Sequence, residues 1–145
     1  MVDDFEYEGS ANFNDTPDSV RKKIISLSKK IRVGKQNKHI IGTHEYNQYV
    51  KKQLSKGEFG PSRLNGDLQF AQLLADKYAG TGKAEIKNGI WTNCEYIETD
   101  TVIGVVVNNK SGAEQVTANF KIHYSQTEGV HIVPSYDSKR KGIKP

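Results

Sequence analysis

The sequence predicts an α+β domain in which N-terminal helices pack on a four- to five-stranded antiparallel sheet. Between residues 16 and 80, apolar side chains recur at helical spacing. From residue 83 onward the spacing becomes that of strands, and Asn88-Gly89 supplies a tight hairpin turn. Helices followed by a run of antiparallel strands are typical of α+β folds, because the helices can then cover one face of the sheet.

Length and composition describe one small domain without a membrane segment. The chain has 145 residues, of which 35% are hydrophobic, enough for one compact core. No apolar run approaches the roughly 20 residues of a membrane span, so we expect no membrane partner. The only cysteine, Cys94, excludes an internal disulfide. Its strand-like neighbours favour a place in the sheet over a nucleophilic role.

Charge is distributed unevenly along the chain. Residues 1–20 hold six acidic and no basic residues, whereas residues 21–145 hold all 21 Lys and Arg and 11 acidic residues. We therefore interpret residues 1–15 as an acidic leader or linker remnant and residues 16–145 as a single domain. The basic body attracts polyanions at long range, which makes nucleic acid the first partner to test. Plain solubility explains the same charge equally well.

The first helix is predicted to run from Thr16, an N-cap followed by proline, to Gly34, which is placed to end it. One apolar stripe recurs along it at helical spacing: Val20, Ile24, Leu27 and Ile31.

Two further helices are predicted on the same grounds. The second begins at Thr43 and closes at Gly57, with an inner face of Tyr46, Tyr49, Val50 and Leu54. The third follows Asp67 as its cap and ends before Gly80, with an inner face of Leu68, Ala71, Leu74 and Tyr78. The segment "EFGPSRLNG" between them is predicted as a loop.

The strands follow the third helix. "AEIK" and "IWTNCEYIE" are predicted to form a hairpin through Asn88-Gly89. "VIGVVVN" reads as a buried strand, and "EQVTANFKIHYS" and "VHIVPS" supply the last two.

That last pair of strands carries two of the four histidines, His123 and His131. Lys121 and Ser125 share a strand face with His123, because side chains alternate between faces. Turn length decides whether the two histidines meet. A three-residue turn at 126–128 would set His123 opposite His131, whereas a two- or four-residue turn would send them to opposite faces.

A third histidine, His39, lies between the first two predicted helices in "GKQNKHIIGTHEY", beside Lys35 and Lys38. Loops held by rigid elements are frequent positions for catalytic groups. His44 falls in the first turn of the next helix, where we expect it to be exposed.

Histidines, lysines and a hydroxyl, without paired carboxylates or metal-ligand spacing, suit the cleavage of RNA by its own 2′-OH. One imidazole would accept the 2′-OH proton and another would protonate the leaving 5′-oxygen. Lysine would stabilise the phosphorane. No metal or other cofactor is required, and DNA would be resistant because it lacks the 2′-OH. The alternative is structural: half-buried strand histidines, a solvated Lys121, and a Ser125 that only ends its strand.

Several ordered blocks resemble one family: "GKQNKHIIGTHEY", "LADKYAGTG", "GIWTNCEYI", "VIGVVVNNKSG" and "FKIHYS…GVHIVP". Together they are similar to the bacterial polymorphic toxin type 50 domain over residues 34–135, about two thirds of the chain. The resemblance implies a fold of the barnase/EndoU/colicin/RelE-like ribonuclease group. It also implies a ribonuclease toxin that is delivered as the C-terminal domain of a larger secreted or phage-associated protein and is held by an immunity protein.

The matched motif residues are Lys38, His39, His123, Tyr124, Ser125 and His131. As catalytic residues we predict His39, His123 and His131, with Lys38 and Ser125. Lys35, Lys121 and Tyr124 are predicted to bind substrate. The expected enzyme is a metal-independent endoribonuclease that leaves a 2′,3′-cyclic phosphate, acts in the target-cell cytoplasm and is a monomer. Its partners would be RNA, with tRNA as one candidate, and a cognate immunity protein.

Two rival functions follow from the same residues. The first is a non-catalytic nucleic-acid-binding module of a phage or secreted protein, which the basic body alone would support. The second is a metal-dependent DNase, which the sequence disfavours because it lacks a cluster of Asp, Glu and His with metal-ligand spacing.

Overall fold

The structure of the protein is a computed structural model that describes residues 16–136. The predicted acidic leader, residues 1–15, and the basic end of the chain lie outside the described residues. The helices are α1 (Asp18–Ser26), α2 (Val33–Asn37), α3 (His44–Ser55) and α4 (Leu68–Tyr78). The strands are β1 (Arg63–Leu64), β2 (Lys83–Lys87), β3 (Ile90–Glu98), β4 (Gly104–Val107), β5 (Glu114–Thr117), β6 (Asn119–Ser125) and β7 (Gly129–Ser135).

The strands form two antiparallel sheets, and the predicted α+β class is confirmed. The larger sheet has the order β2-β3-β6-β7, and the smaller has the order β1-β4-β5. The larger sheet has the predicted four antiparallel strands, and the smaller sheet is an addition that the sequence did not predict. The stretch "EQVTANFKIHYS" breaks at Ala118 into β5 and β6, which belong to different sheets. Arg63 and Leu64, predicted as loop, pair with Val105 and Gly104 at the edge of the smaller sheet.

The first helix is shorter than its apolar spacing predicts. It ends at Ser26, and Leu27 is already extended. The backbone N–H groups of Val130 and Arg32 bond to the carbonyls of Lys30 and Val130 at 2.8 and 2.7 Å, so this stretch runs along the edge of β7. Pairing with the sheet therefore replaces the last predicted turns of helix. Gly34 lies inside α2. Thr16 does not cap α1, since its hydroxyl accepts from the Ala84 N–H at 3.1 Å.

The other two predicted helices are confirmed. The Thr43 hydroxyl accepts the Tyr46 N–H at 3.0 Å and caps α3. The Asp67 carboxylate accepts the Phe70 N–H at 2.9 Å and caps α4. One predicted inner-face residue of α3 is wrong: Leu54 is 59% exposed, whereas Gln53 is buried.

One face of the larger sheet carries the core. Phe120 and Ile122 of β6 and Val130 and Ile132 of β7 are fully buried on this face. Side chains from α1 and α4 cover them, among them Ile24, Ala71 and Leu74. The opposite face of the same two strands is only half-buried. Within residues 16–136, no helix has the length and apolarity to cross a membrane.

Candidate active site

The β6–β7 hairpin sets the register of the candidate site. Its turn has three residues, with Ser125 paired to Gly129 and His123 paired to His131. The Ser125 hydroxyl accepts the backbone N–H groups of Thr127 and Glu128 at 3.2 and 3.0 Å, which stabilises this turn length. Of the turn lengths left open by the sequence, the structure has the one that brings the histidines together. Their rings stack at a centroid distance of 4.7 Å and an angle of 16°.

The third predicted histidine joins them. The ring of His39 lies parallel to that of His131, at 6.3 Å between centroids and an angle of 10°. On its other side the His39 ring meets Tyr49 edge-on at 6.3 Å. His39, His131 and His123 therefore form a row of three nearly parallel imidazoles, which we call the histidine stack.

A buried glutamine holds α2, and with it His39, against the hairpin. Gln36 is fully buried. Its side-chain amide donates to the Ile132 carbonyl at 2.9 Å, and its side-chain oxygen accepts the Ile132 N–H at 2.6 Å. Through these two bonds the Gln36 side chain pairs with the Ile132 backbone as a residue of a neighbouring strand would. The buried oxygen and amide of Gln36 both have hydrogen-bond partners as a result. Sequence reasoning missed Gln36, because nothing in its neighbours along the chain distinguishes a buried glutamine from a surface one.

The hydrogen bond of His39 determines which of its nitrogens is basic. The Nδ1 atom lies 2.8 Å from the Ser62 carbonyl oxygen. A carbonyl can only accept, so Nδ1 carries the hydrogen and donates it. In the neutral ring the lone pair is then on Nε2, which makes Nε2 the atom that can accept a proton.

The neighbours of His123 suit the opposite arrangement. Its Nδ1 atom contacts the Cys94 sulfur at 3.2 Å. Burial raises the pKa of the Cys94 thiol to about 11, so the thiol keeps its hydrogen at neutral pH. The S–H group can therefore donate to Nδ1, which leaves the hydrogen of the neutral ring on Nε2. The sequence predicted Cys94 in the sheet, and it is buried there. Its contact with His123 was missed.

The surroundings lower the pKa of all three histidines. Burial lowers the pKa of His39, and the nearby Lys38 charge lowers it further, against the hydrogen bond to Ser62. Burial and then Lys121 lower the pKa of His123 to about 4, although Glu85 acts in the opposite direction.

The pKa of His131, in the middle of the stack, is lower than that of His123. Burial, then the two neighbouring histidines and the cations Arg32 and Lys35, lower its pKa to about 3. Its Nδ1 atom is buried without a hydrogen-bond partner among residues 16–136. Perturbed titrating groups that cluster in this way are typical of functional sites.

Two of the predicted lysines, Lys121 and Lys38, lie beside the stack and differ in their contacts. Lys121 forms a 2.9 Å ion pair with Glu85, a buried carboxylate that also accepts the Thr92 hydroxyl at 2.7 Å. Burial alone would raise the pKa of Glu85, but Lys121 and Thr92 bring it below its usual value. Lys38 has its ammonium 5.4 Å from the centre of the Tyr49 ring.

Tyr124 points away from the predicted site, and the Ser125 hydroxyl is engaged in the turn at the end of the histidine face. Tyr124 lies on the core face of β6, opposite to the histidines, and its hydroxyl donates to Glu95 at 2.6 Å. The alternation of strand side chains leaves it no route to a ligand on the histidine face. The Ser125 hydroxyl lies in the hairpin turn, where it accepts the two backbone N–H groups described above.

Open grooves flank the histidine stack. One of about 370 Å³ is lined by residues that include His39, Tyr49, Lys121 and His123. A second, of about 450 Å³, is lined by Arg32, Gly34, Lys35, Lys38 and Glu128. We call the second one the Arg32 groove. In the part of the chain that the structure describes, no three His, Cys, Asp or Glu side chains are grouped to hold a metal ion.

Comparison with protein families identifies the domain. Residues 31–134 match the family described as Bacterial toxin 50. The chain belongs to this family. The match covers more than half of the chain, confirms the resemblance read from the sequence, and makes this a bacterial toxin domain. The matched range contains the whole histidine stack, Lys35 of α2, and Lys38, which directly follows α2. Searches of curated proteins and of solved structures found no match.

Proposed function

We propose that this bacterial toxin domain is a metal-independent endoribonuclease. The observation that carries the proposal is the histidine stack, in which His39 has a free Nε2 lone pair and His123, beyond the intervening His131, can offer an Nε2 hydrogen. Proton acceptor and proton donor therefore line the same open groove. General acid–base catalysis of transphosphorylation needs this combination.

In the proposed reaction, His39 Nε2 accepts the proton of the ribose 2′-OH. The 2′-oxygen forms a bond to phosphorus, and the bond from phosphorus to the 5′-oxygen breaks. The leaving 5′-oxygen takes a proton from the stacked pair of His131 and His123. The products are a 2′,3′-cyclic phosphate and a 5′-hydroxyl, and the proton removed from the 2′-OH remains on His39.

His131 and His123 would act as a pair that holds one proton. Two positive charges on rings 4.7 Å apart repel each other, so protonation of one opposes protonation of the other. The negative charge of a bound phosphate favours the charged form of the pair and raises its pKa above the low value of the free protein. Substrate binding would thereby supply the acid at neutral pH.

Lys38 and Lys121 would stabilise the charge that develops on the phosphorane. The Lys38 ammonium lies over the face of the Tyr49 ring, from which it can turn toward a phosphate. Lys121 would share its charge between Glu85 and the phosphate. Ser125 and Tyr124 have no part in this mechanism.

The toxin family also supports a biological setting. We propose that the domain is delivered as part of a larger effector and acts on RNA, tRNA included, in the cytoplasm of a target cell, as a monomer. A cognate immunity protein would neutralise it by covering the basic grooves with acidic residues, since opposite charges favour association.

The test is incubation of the purified domain with total RNA in EDTA. We expect cleavage to products with 2′,3′-cyclic ends, and no cleavage of DNA. His39→Asn and His131→Asn should each reduce the rate by about 10²–10⁴-fold, the usual contribution of a general base or acid. His44→Asn is the matched control, because His44 lies exposed at the start of α3.

Three results would count against the enzyme: loss of cleavage in EDTA, equal cleavage of DNA, or full activity in His39→Asn. Binding of RNA without cleavage would favour the alternative function, a nucleic-acid-binding module. Expression distinguishes the two in cells, since a binding module should be tolerated and the nuclease should arrest growth.

A further inference from the structure

The Arg32 groove is built against the histidine stack. The Arg32 N–H bonds to the Val130 carbonyl at 2.7 Å, directly before His131 in the chain. Lys35 belongs to α2 and Lys38 follows its end, immediately before His39. The bonds of Gln36 to Ile132 hold this helix against β7. Three cationic side chains thus line a groove next to the row of imidazoles.

One carboxylate occupies the groove in the free protein. The Arg32 guanidinium forms a 2.7 Å ion pair with Glu128, a residue of the β6–β7 turn. The two side chains differ in exposure, at 25% for Arg32 and 63% for Glu128. The arginine is therefore the fixed partner, and the exposed carboxylate is the one that can leave at little cost.

We propose that the Arg32 groove binds a second phosphate of the substrate, adjacent to the one cleaved at the histidine stack, and that this phosphate displaces Glu128 from Arg32. The proposal rests on the proposed function for the nature of the polymer. A guanidinium presents paired N–H donors that match the oxygens of phosphate as well as those of carboxylate. Lys35 and Lys38 add two positive charges, whereas Glu128 is the only acidic residue among residues 16–136 that lines the groove.

The first experiment compares two substrates in each variant. One is a dinucleoside monophosphate, which has only the scissile phosphate, and the other carries an additional terminal phosphate at its 5′ or 3′ end. In the wild type the additional phosphate at one of the two ends should raise kcat/KM roughly tenfold, as expected for a charge-assisted contact at a partly exposed site. Because the readout is a ratio within one protein, a general loss of stability or activity cancels.

Arg32→Gln should remove this gain. Arg21→Gln is the matched control, with the same change of residue and charge on the exposed side of α1, and should keep it. Glu128→Gln should increase the gain a few-fold, since the phosphate no longer competes with a carboxylate. The groove is excluded as a phosphate site if the additional phosphate brings no gain in the wild type, or brings the same gain in Arg32→Gln.

The second experiment separates the groove from catalysis. The corresponding deoxydinucleotides lack the 2′-OH and cannot be cleaved by the proposed mechanism, so their Kd values report binding alone. Tighter binding of the phosphorylated deoxydinucleotide that depends on Arg32 would support the groove even if no RNA is cleaved, in which case only the proposed function fails. Equal affinities with and without the terminal phosphate would overturn the proposal. Inorganic phosphate as competitor shows whether a free anion occupies the same site.

Discussion

The two faces of the larger sheet each bury a polar group, the Glu95 carboxylate on the core face and the Nδ1 atom of His131 on the other, and these two differ in their hydrogen-bond partners. On the core face, the Glu95 side chain is 1% exposed and accepts three hydrogen bonds, from the N–H groups of Gly80 and Gly82 and from the Tyr124 hydroxyl. On the other face, the buried Nδ1 of His131 has no partner within the described residues. Buried polar groups with hydrogen-bond partners help to stabilise a fold. A buried polar group without a partner lowers stability, and such groups are typically retained where function requires them.

The largest expected effect is on stability and separates the two faces. Glu95→Ala leaves the buried Tyr124 phenol and two part-buried backbone N–H groups without their acceptor, so we expect it to lower the free energy of unfolding by about 3 kcal/mol. His131→Asn should cost about 1 kcal/mol or less, because it removes no hydrogen bond. Urea unfolding at pH 7.5 measures both, and an equal loss in the two variants would contradict the comparison.

The second prediction concerns the stability of the protein at acidic pH. A histidine in the unfolded chain has a pKa of about 6.5, whereas His123 and His131 have values of about 4 and about 3 in the folded protein. Between these limits the unfolded chain binds protons that the folded protein does not. The free energy of unfolding therefore falls as the pH is lowered from about 6.5 to about 4, by about 1.4 kcal/mol per pH unit for each histidine.

Unfolding measured across that range gives the slope directly. His131→Asn should reduce it by the share of one histidine, about 1.4 kcal/mol per pH unit. His44→Asn is the control for the substitution itself, because His44 is exposed at the start of α3. The interpretation fails if the slope of His131→Asn equals that of the wild type, since acid sensitivity would then arise from other groups.

Local signals in the sequence predicted what local physics determines. The caps Thr43 and Asp67, the Asn88-Gly89 turn and the alternation in β6 all act within a few residues, and the structure has each of them. The row of histidines could be anticipated as residue types, but its geometry could not. The distance from His39 to His131 depends on α2, which is held by Gln36 across 96 residues of chain.

Two of the failed predictions have the same cause. Leu27 and Ile31 keep helical spacing, yet Ile31 pairs with Val130 of β7. Arg63 and Leu64 look like loop residues until β4 gives them a partner. In both places pairing with a distant strand outweighed the local sequence signals. No short window of sequence contains information about that pairing.

The smallest expected effect tests the link between Cys94 and His123. The thiol contact favours the tautomer of His123 with its hydrogen on Nε2, the form that can donate toward a substrate. Cys94→Ser keeps a donor at this position, whereas Cys94→Ala removes it.

We expect ¹⁵N shifts at neutral pH to report the same tautomer in wild type and Cys94→Ser, and a mixture in Cys94→Ala. The rate should fall by only about threefold in Cys94→Ala, the value of one weak hydrogen bond. An unchanged tautomer in Cys94→Ala would show that the stacked rings, rather than the buried thiol, determine the protonation of this face.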